Sequence, residues 1–167
     1  MMKLVFFGTP DFAIPSLYAL HKSAHEILAV VTTPDKPAGR GLKNTASSVK
    51  QAAEKFNYSI YQPPDLNDSD FLSIMKKIEA DIFVVVAYRI LPEELISIPL
   101  EGAVNIHASL LPKYRGAAPI HRAILNGENE TGVTTFRIQN KVDTGDILLQ
   151  EHYKLTKNIT TGEAYDN

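Results

Sequence analysis

The fold is decided by a short apolar run, Ile82-Phe83-Val84-Val85-Val86-Ala87. An almost unbroken run of this length, rich in β-branched residues, is typical of a strand in a parallel sheet that helices cover on both faces. Two further runs of this kind are Leu4-Val5-Phe6-Phe7 and residues 27–31. We therefore predict a parallel sheet that contains these three segments as buried strands.

Two sets of apolar residues between these runs follow the helical spacing i, i+3, i+4, i+7. They are Val49, Ala52, Ala53 and Phe56, and Phe71, Ile74, Met75 and Ile78. Each set forms a stripe that can lie on a sheet. Strand and helix signals that alternate in this way predict the α/β class, as a doubly wound, mostly parallel open sheet with right-handed crossovers. Ligands bind such sheets beyond the carboxyl ends of the strands.

The chain after residue 87 follows a different pattern. The elements predicted there are a strand at 103–107, a helix marked by Ala117, Ile120 and Ile124 and closed by Asn126-Gly127, and strands at 132–138 and 147–155. The connection at residues 140–146 is short enough for a hairpin, so we expect an antiparallel pair at one side of the sheet. Residues 34–48 and 63–65 have the composition of loops.

Length and composition limit the possible classes of protein. A chain of 167 residues is long enough for one well-buried domain. The net charge of -2 does not indicate a nucleic-acid binder or a membrane-surface protein, and the absence of cysteine excludes disulfides, thiolate metal sites and cysteine catalysis. No stretch approaches the ~20 apolar residues of a membrane span. We expect a cytoplasmic monomer that does not contact a membrane.

The triplet Asn105-Ile106-His107 indicates the chemistry. Side chains alternate along a strand, so Asn105 and His107 are expected on one side while Ile106 enters the core. An amide that holds a developing oxyanion, beside an imidazole that carries a proton or donates a second hydrogen bond, suits acyl transfer. Taken alone the triplet is weak, because both residue types also end strands as ordinary polar groups.

Other candidate sites are weaker. The first strand is followed by Gly8-Thr9-Pro10 with a single glycine, so a dinucleotide site is not predicted, and we expect a helix start there. The remaining four histidines are not spaced along the sequence as metal ligands are, and no metal site is predicted. Ser109 lacks the Gly-x-Ser-x-Gly context of a nucleophile.

A cluster of cations lies in the loop at residues 34–48. Its members are Lys36, Arg40, Lys43 and, just beyond, Lys50, against the single acid Asp35. Such a run is usually a solvated loop. The functional alternative is a basic loop that contacts a phosphate backbone, where each cation displaces counterions.

A longer motif surrounds the triplet. It is Asn105-Ile106-His107-Ala108-Ser109-Leu110-Leu111-Pro112-Lys113-Tyr114-Arg115-Gly116-Ala117-Ala118-Pro119-Ile120, with Asp143-Thr144-Gly145-Asp146 downstream. This sequence resembles the catalytic domain of the methionyl-tRNA formyltransferase family, and the match runs nearly end to end. The resemblance implies a Rossmann-like formyltransferase fold and transfer of a formyl group from 10-formyltetrahydrofolate to the amino group of initiator methionyl-tRNA.

Residue roles also follow from this resemblance. It implies Asn105, His107 and Asp143 as the catalytic trio, with no metal, and Lys36, Arg40 and Lys43 as contacts to tRNA. The folate-binding residues that it implies are Val86, Ala87, Tyr88, Arg89, Ile90, Leu91, Ser109, Leu110, Leu111, Pro112, Thr144, Gly145 and Asp146. One departure concerns Ala87-Tyr88-Arg89-Ile90-Leu91-Pro92, where arginine replaces a glycine that is frequent in the family and the turn is one residue shorter.

Two alternatives to this function remain open. A nucleotide-sugar N-formyltransferase would fit Leu111-Pro112-Lys113-Tyr114-Arg115-Gly116 equally well. A folate- or RNA-binding module with little turnover is the alternative of another class.

The capping box Thr160-Thr161-Gly162-Glu163 stands four residues from the end of the sequence, which is too close for a stable helix. We therefore expect that residues 1–167 are a truncated catalytic domain without the family's C-terminal tRNA-binding domain.

Overall fold

The computed structural model describes residues 1–38 and 43–166 of the chain. It divides into two compact units, Met1–Ala103 and Val104–Asn167, which are called the first unit and the second unit below. Strand β7 begins on the last residue of the first unit and continues into the second.

The first unit is built on four parallel strands in the order β5-β2-β1-β6. Its strands are β1 (Lys3–Gly8), β2 (Glu26–Val31), β3 (Lys36–Ala38), β4 (Lys43–Thr45), β5 (Ile60–Tyr61) and β6 (Ile82–Val86). Its helices are a 3-10 turn at Asp11–Ala13, α1 (Ile14–His21), α2 (Ser48–Lys55), α3 (Ser69–Ile78) and α4 (Glu93–Ile96). The three apolar runs are β1, β2 and β6, as predicted.

Side-chain caps set the start of two helices that cover these strands. Ser47 accepts a hydrogen bond from Lys50 N at the start of α2, and Asp68 accepts one from Phe71 N at the start of α3. The predicted stripe of α3 is wrong in one member: Ile74 is 36% exposed, and Leu72 is buried in its place. The buried face is therefore rotated toward Phe71, Leu72 and Met75.

The predicted loop at residues 34–48 contains regular structure. Strands β3 and β4 pair in antiparallel fashion, with Lys36 opposite Thr45. The segments that flank the ribbon are joined by a hydrogen bond of 2.7 Å between the hydroxyl oxygens of Thr32 and Ser47. Turn-forming composition and a lack of apolar alternation hid the strands.

The second unit has three antiparallel strands, β7 (Ala103–His107), β8 (Glu130–Arg137) and β9 (Ile147–Lys154), in that order. Its helices are α5 (Pro119–Leu125) and α6 (Thr161–Asp166). A buried cluster of Ile120, Ala123, Leu155 and Ala164 joins these helices to the hairpin. The predicted α/β class, with parallel strands and an antiparallel hairpin, is confirmed.

The capping box at residues 160–163 forms as its sequence indicates. Thr160 Oγ1 accepts from Glu163 N at 3.3 Å, and Glu163 Oε2 accepts from Thr160 N at 2.8 Å. The hydrogen bonds that Thr160 N and then Thr160 Oγ1 donate to the Glu163 carboxylate, at 2.8 Å each, hold the pKa of Glu163 below its ordinary value. The expectation that this end is too short for a helix is wrong, because Ala164 buries itself in the cluster of the second unit.

Candidate active site

Strand β7 places Asn105 and His107 on one face, two residues apart. Opposite them on β8 lie Phe136 and Thr134, respectively. His107 is buried, whereas Asn105 is partly exposed. Ile106 is also only partly buried, so the prediction that it enters the core is wrong; it lies outside the buried cluster that α5 and α6 cover.

The His107 ring contacts two oxygen atoms. Its Nε2 lies 3.0 Å from the Tyr114 carbonyl oxygen, which can only accept, so Nε2 carries a proton in this hydrogen bond. Its Nδ1 lies 3.6 Å from Asp143 Oδ2, beyond hydrogen-bond length. Both side chains are 10% exposed. Nδ1 is therefore the nitrogen that faces the carboxylate and can take part in chemistry.

Asp143 is held at two points. Its Oδ2 accepts a hydrogen bond from Gly116 N at 2.8 Å, and its carbonyl oxygen accepts one from Arg115 Nε at 2.7 Å. The residue adopts a left-handed backbone with φ of 51°, a conformation in which aspartate is enriched among non-glycine residues. The structure thus brings together Asp143 and His107, which are far apart in the sequence.

The segment that grips Asp143 has an unusual backbone. Positive φ occurs at Tyr114 (59°), Gly116 (83°) and Ala118 (51°). The Tyr114 hydroxyl donates to Glu128 at 2.7 Å, and Lys113 Nζ lies 3.1 Å from the same carboxylate. These two contacts hold the pKa of Glu128 below its ordinary value. The strained turn at Tyr114 is therefore anchored by the Glu128 carboxylate.

Ser109, Leu110, Leu111 and Pro112 form a loop fixed by buried hydrogen bonds. Ser109 is fully buried, and its hydroxyl donates to the Lys113 carbonyl at 2.7 Å. Thr134 Oγ1 donates to the Ser109 carbonyl at 2.6 Å and accepts from Leu111 N at 3.1 Å. A cavity of about 240 Å³ adjoins the loop, lined by Leu110, Leu111, Pro112, Lys113, Tyr114, Glu130 and Thr131.

The loop of Thr144, Gly145 and Asp146 is docked on the end of β8. A Cβ atom at Gly145 would overlap the carbonyl oxygen of Arg137, so the close approach of two backbones requires glycine here. The Asp146 carbonyl accepts a hydrogen bond from Arg137 N at 2.9 Å. Thr144 Oγ1 donates to the Lys141 carbonyl at 3.0 Å. This docking holds the backbone that follows Asp143.

The predicted folate segment of the first unit follows β6. Val86 and Leu91 are buried, Tyr88 and Arg89 are half-buried, and Ala87 and Ile90 are exposed, with φ of 47° at Ala87. Arg89 donates to the carbonyls of Pro63 and Pro64 at 2.7 and 2.9 Å and to the Tyr88 hydroxyl at 2.8 Å. The sequence analysis named Arg89 as an implied folate-binding residue and as a departure from the family, and it missed this bridge between two loops.

The cations of the predicted RNA loop differ in their surroundings. Lys36 is exposed at the start of β3, Lys43 begins β4, and Arg40 lies outside the described residues. Lys50 forms an ion pair with Asp35, 2.6 Å between Nζ and Oδ2. Hydrogen bonds from Lys50 and then Gln62 hold the pKa of Asp35 below its ordinary value. Lys50 is therefore neutralised at the base of the ribbon.

Residues 1–38 and 43–166 contain neither a candidate metal site nor a membrane-spanning helix. No group of three or more histidine, aspartate and glutamate side chains there is arranged to hold a metal ion. None of the helices in that part of the chain has both the length and the apolar character needed to cross a bilayer.

An α/β fold with a buried histidine that faces a carboxylate, and an amide on the same strand face, defines a candidate centre for acyl-type transfer. The chain belongs to the formyl transferase family, whose model matches residues 2–167. It is 52% identical over 166 residues to the methionyl-tRNA formyltransferase of Pelotomaculum thermopropionicum and 51% identical to that of Moorella thermoacetica. The predicted resemblance to methionyl-tRNA formyltransferase is thus confirmed.

The extent of these matches is uneven. Each alignment covers 99% of this chain and 53% of the relative, so the chain spans about half the length of the curated relatives it matches. A crystal structure of phosphoribosylglycinamide formyltransferase from Streptococcus pneumoniae superposes with a TM-score of 0.80. That alignment covers 99% of this chain and 89% of the other at 20% identity, which shows a shared fold.

Proposed function

We propose that residues 1–167 form the catalytic domain of a methionyl-tRNA formyltransferase, which acts in the cytoplasm in translation initiation. The domain transfers the formyl group of 10-formyltetrahydrofolate to the amino group of methionyl-tRNA. The observation that carries the proposal is the buried pair of His107 and Asp143 beside Asn105, 3.6 Å between Nδ1 and Oδ2. The named relatives support the choice of substrate.

The proposed reaction is a direct attack of the amine on the formyl carbon. The tetrahedral intermediate carries an oxyanion, and an N–H of the Asn105 amide donates a hydrogen bond that stabilises this charge as it develops. His107 Nε2 donates to the Tyr114 carbonyl, so a neutral ring leaves its Nδ1 lone pair to accept the proton that the amine loses. The resulting imidazolium stabilises the oxyanion, and the Asp143 carboxylate stabilises the imidazolium. When the intermediate collapses, the bond between the formyl carbon and N10 of the folate breaks, His107 gives its proton to N10, and tetrahydrofolate leaves.

Folate binding is proposed for segments in each unit. In the second unit these are Leu110 to Pro112, which adjoin the 240 Å³ cavity, and Thr144 to Asp146, where the backbone is held by Arg137. Backbone groups would make most of the contacts, since Ser109 uses its hydroxyl internally. In the first unit, Val86 to Leu91 are proposed, with Arg89 holding the turn against Pro63 and Pro64.

Formylation assays test the proposed substrate. Purified chain is mixed with 10-formyltetrahydrofolate and either methionyl-tRNA or an amino-sugar nucleotide, and formylated product is measured. We expect turnover with methionyl-tRNA alone. Turnover with the nucleotide sugar alone would show that the acceptor is an amino sugar and not methionyl-tRNA. Folate binding without transfer to either acceptor would favour a binding module.

Two lysines of the ribbon region, Lys36 and Lys50, provide a prediction for RNA binding. Lys36→Ala is expected to reduce the slope of log affinity for methionyl-tRNA against log salt by about 0.7 to 0.9, the value for one lost phosphate contact. Lys50→Met should leave the slope unchanged, because Asp35 already neutralises Lys50. The affinity is measured by filter binding at several salt concentrations. Equal slopes in the wild type and Lys36→Ala would show that Lys36 does not contact the RNA.

A further inference from the structure

One short segment contacts both proposed catalytic side chains. Within Tyr114-Arg115-Gly116, the Tyr114 carbonyl accepts the proton of His107 Nε2 at 3.0 Å. The Gly116 N–H binds the Asp143 carboxylate at 2.8 Å, and Arg115 Nε binds the Asp143 carbonyl at 2.7 Å. The relative position of the imidazole and the carboxylate is therefore set by three consecutive residues.

We infer that Arg115 is a positioning residue, which holds Asp143 at the distance from His107 that proton transfer requires. The inference rests on the proposed function, because it concerns the proposed catalytic pair. The Gly116 N–H alone leaves Asp143 free to rotate about one hydrogen bond. The second bond, from Arg115 to the main chain of the same residue, removes that freedom and maintains the left-handed backbone with φ of 51°.

The Arg115 contact is itself supported. Although Arg115 is exposed, its own carbonyl accepts a hydrogen bond from Arg122 Nη1 at 2.7 Å. The Arg122 guanidinium lies over the Tyr114 ring, 5.4 Å from the centroid. A chain of contacts thus runs from α5 through the backbone of Arg115 to Asp143. Lysine cannot reproduce it, because its single terminal ammonium has no donor at the Nε position of the side chain.

Arg115→Lys and Arg115→Ala test this role. We expect kcat for methionyl-tRNA to fall by up to about 10²-fold in both, as for a displacement of reacting groups by about 1 Å. The KM values for methionyl-tRNA and for folate should change little. Added guanidinium ion should restore part of the kcat of Arg115→Ala, because it can occupy the vacated site and bind the Asp143 carbonyl. A purely structural residue would show no such rescue.

Two further variants make the outcome decisive. Lys157→Ala removes an exposed cation of the second unit that lies outside the proposed site, and its kcat should stay near the wild-type value. Asp143→Asn reports on the proposed function itself. If Asp143→Asn is impaired while both Arg115 variants keep wild-type kcat, the positioning role is overturned. If the Arg115 variants raise only the KM for tRNA, Arg115 binds RNA instead. Wild-type turnover in Asp143→Asn would refute the proposed catalytic pair.

Discussion

Alanine at Asn105 or His107 is expected to lower formyl transfer by at least about 10²- to 10³-fold, the usual effect of losing one oriented oxyanion donor. Asn105 is partly exposed, so its removal leaves the fold intact. His107 is buried, but its ring Nε2 donates to a backbone carbonyl, that of Tyr114, rather than to a side chain of the core, and the variant should still fold. Both losses should appear in kcat because the interactions strengthen only in the transition state.

Single-turnover formylation at saturating folate and methionyl-tRNA measures this effect directly. The matched controls are Asn129→Ala and His152→Ala, which change the same residue types at exposed positions of the second unit. Both controls should retain wild-type rates, and circular dichroism should show the same fold in all four variants. A rate close to wild type in either Asn105→Ala or His107→Ala would refute the assignment of that residue.

Gly145→Ala should have the second large effect. The added methyl group would overlap the Arg137 carbonyl oxygen, which belongs to a paired strand and cannot move as a side chain could. The loop that carries Asp143 must shift instead. We expect a loss of about 1–3 kcal/mol in the free energy of unfolding, typical of an overpacked site. Formyl transfer should fall by about 10²-fold because the carboxylate is displaced.

Urea denaturation and turnover measure the two consequences of Gly145→Ala. The control is Gly162→Ala in α6, where the nearest atom to the added methyl is Thr160 Oγ1 at 4.0 Å. Alanine is favoured over glycine inside a helix, so this control should be neutral or slightly stabilising. Unchanged stability together with unchanged turnover in Gly145→Ala would show that the loop tolerates the shift and that its close docking has no functional role.

Sequence reasoning succeeded where burial leaves a local pattern. The run Ile82 to Val86 forms a parallel strand because a strand of uninterrupted apolar residues is stable only where both of its faces are covered. It failed where contacts between distant residues decide the structure. The ribbon of β3 and β4 contains Pro37 and lacks apolar alternation. Its flanking residues are joined by the hydrogen bond between Thr32 and Ser47 and by the ion pair between Asp35 and Lys50. A short stretch of sequence does not show contacts between residues this far apart.

The sequence by itself determined the α/β class, the antiparallel hairpin and the family, because periodicity and motifs are local properties of the chain. It also placed Asn105 and His107 on one face, since strand geometry alone requires this. Only the tertiary structure decided that the turn at Tyr114 to Gly116 holds both His107 and Asp143, and that Lys50 is neutralised by Asp35. Such contacts depend on how distant segments fold back on each other, and no spacing along the chain encodes the resulting distances.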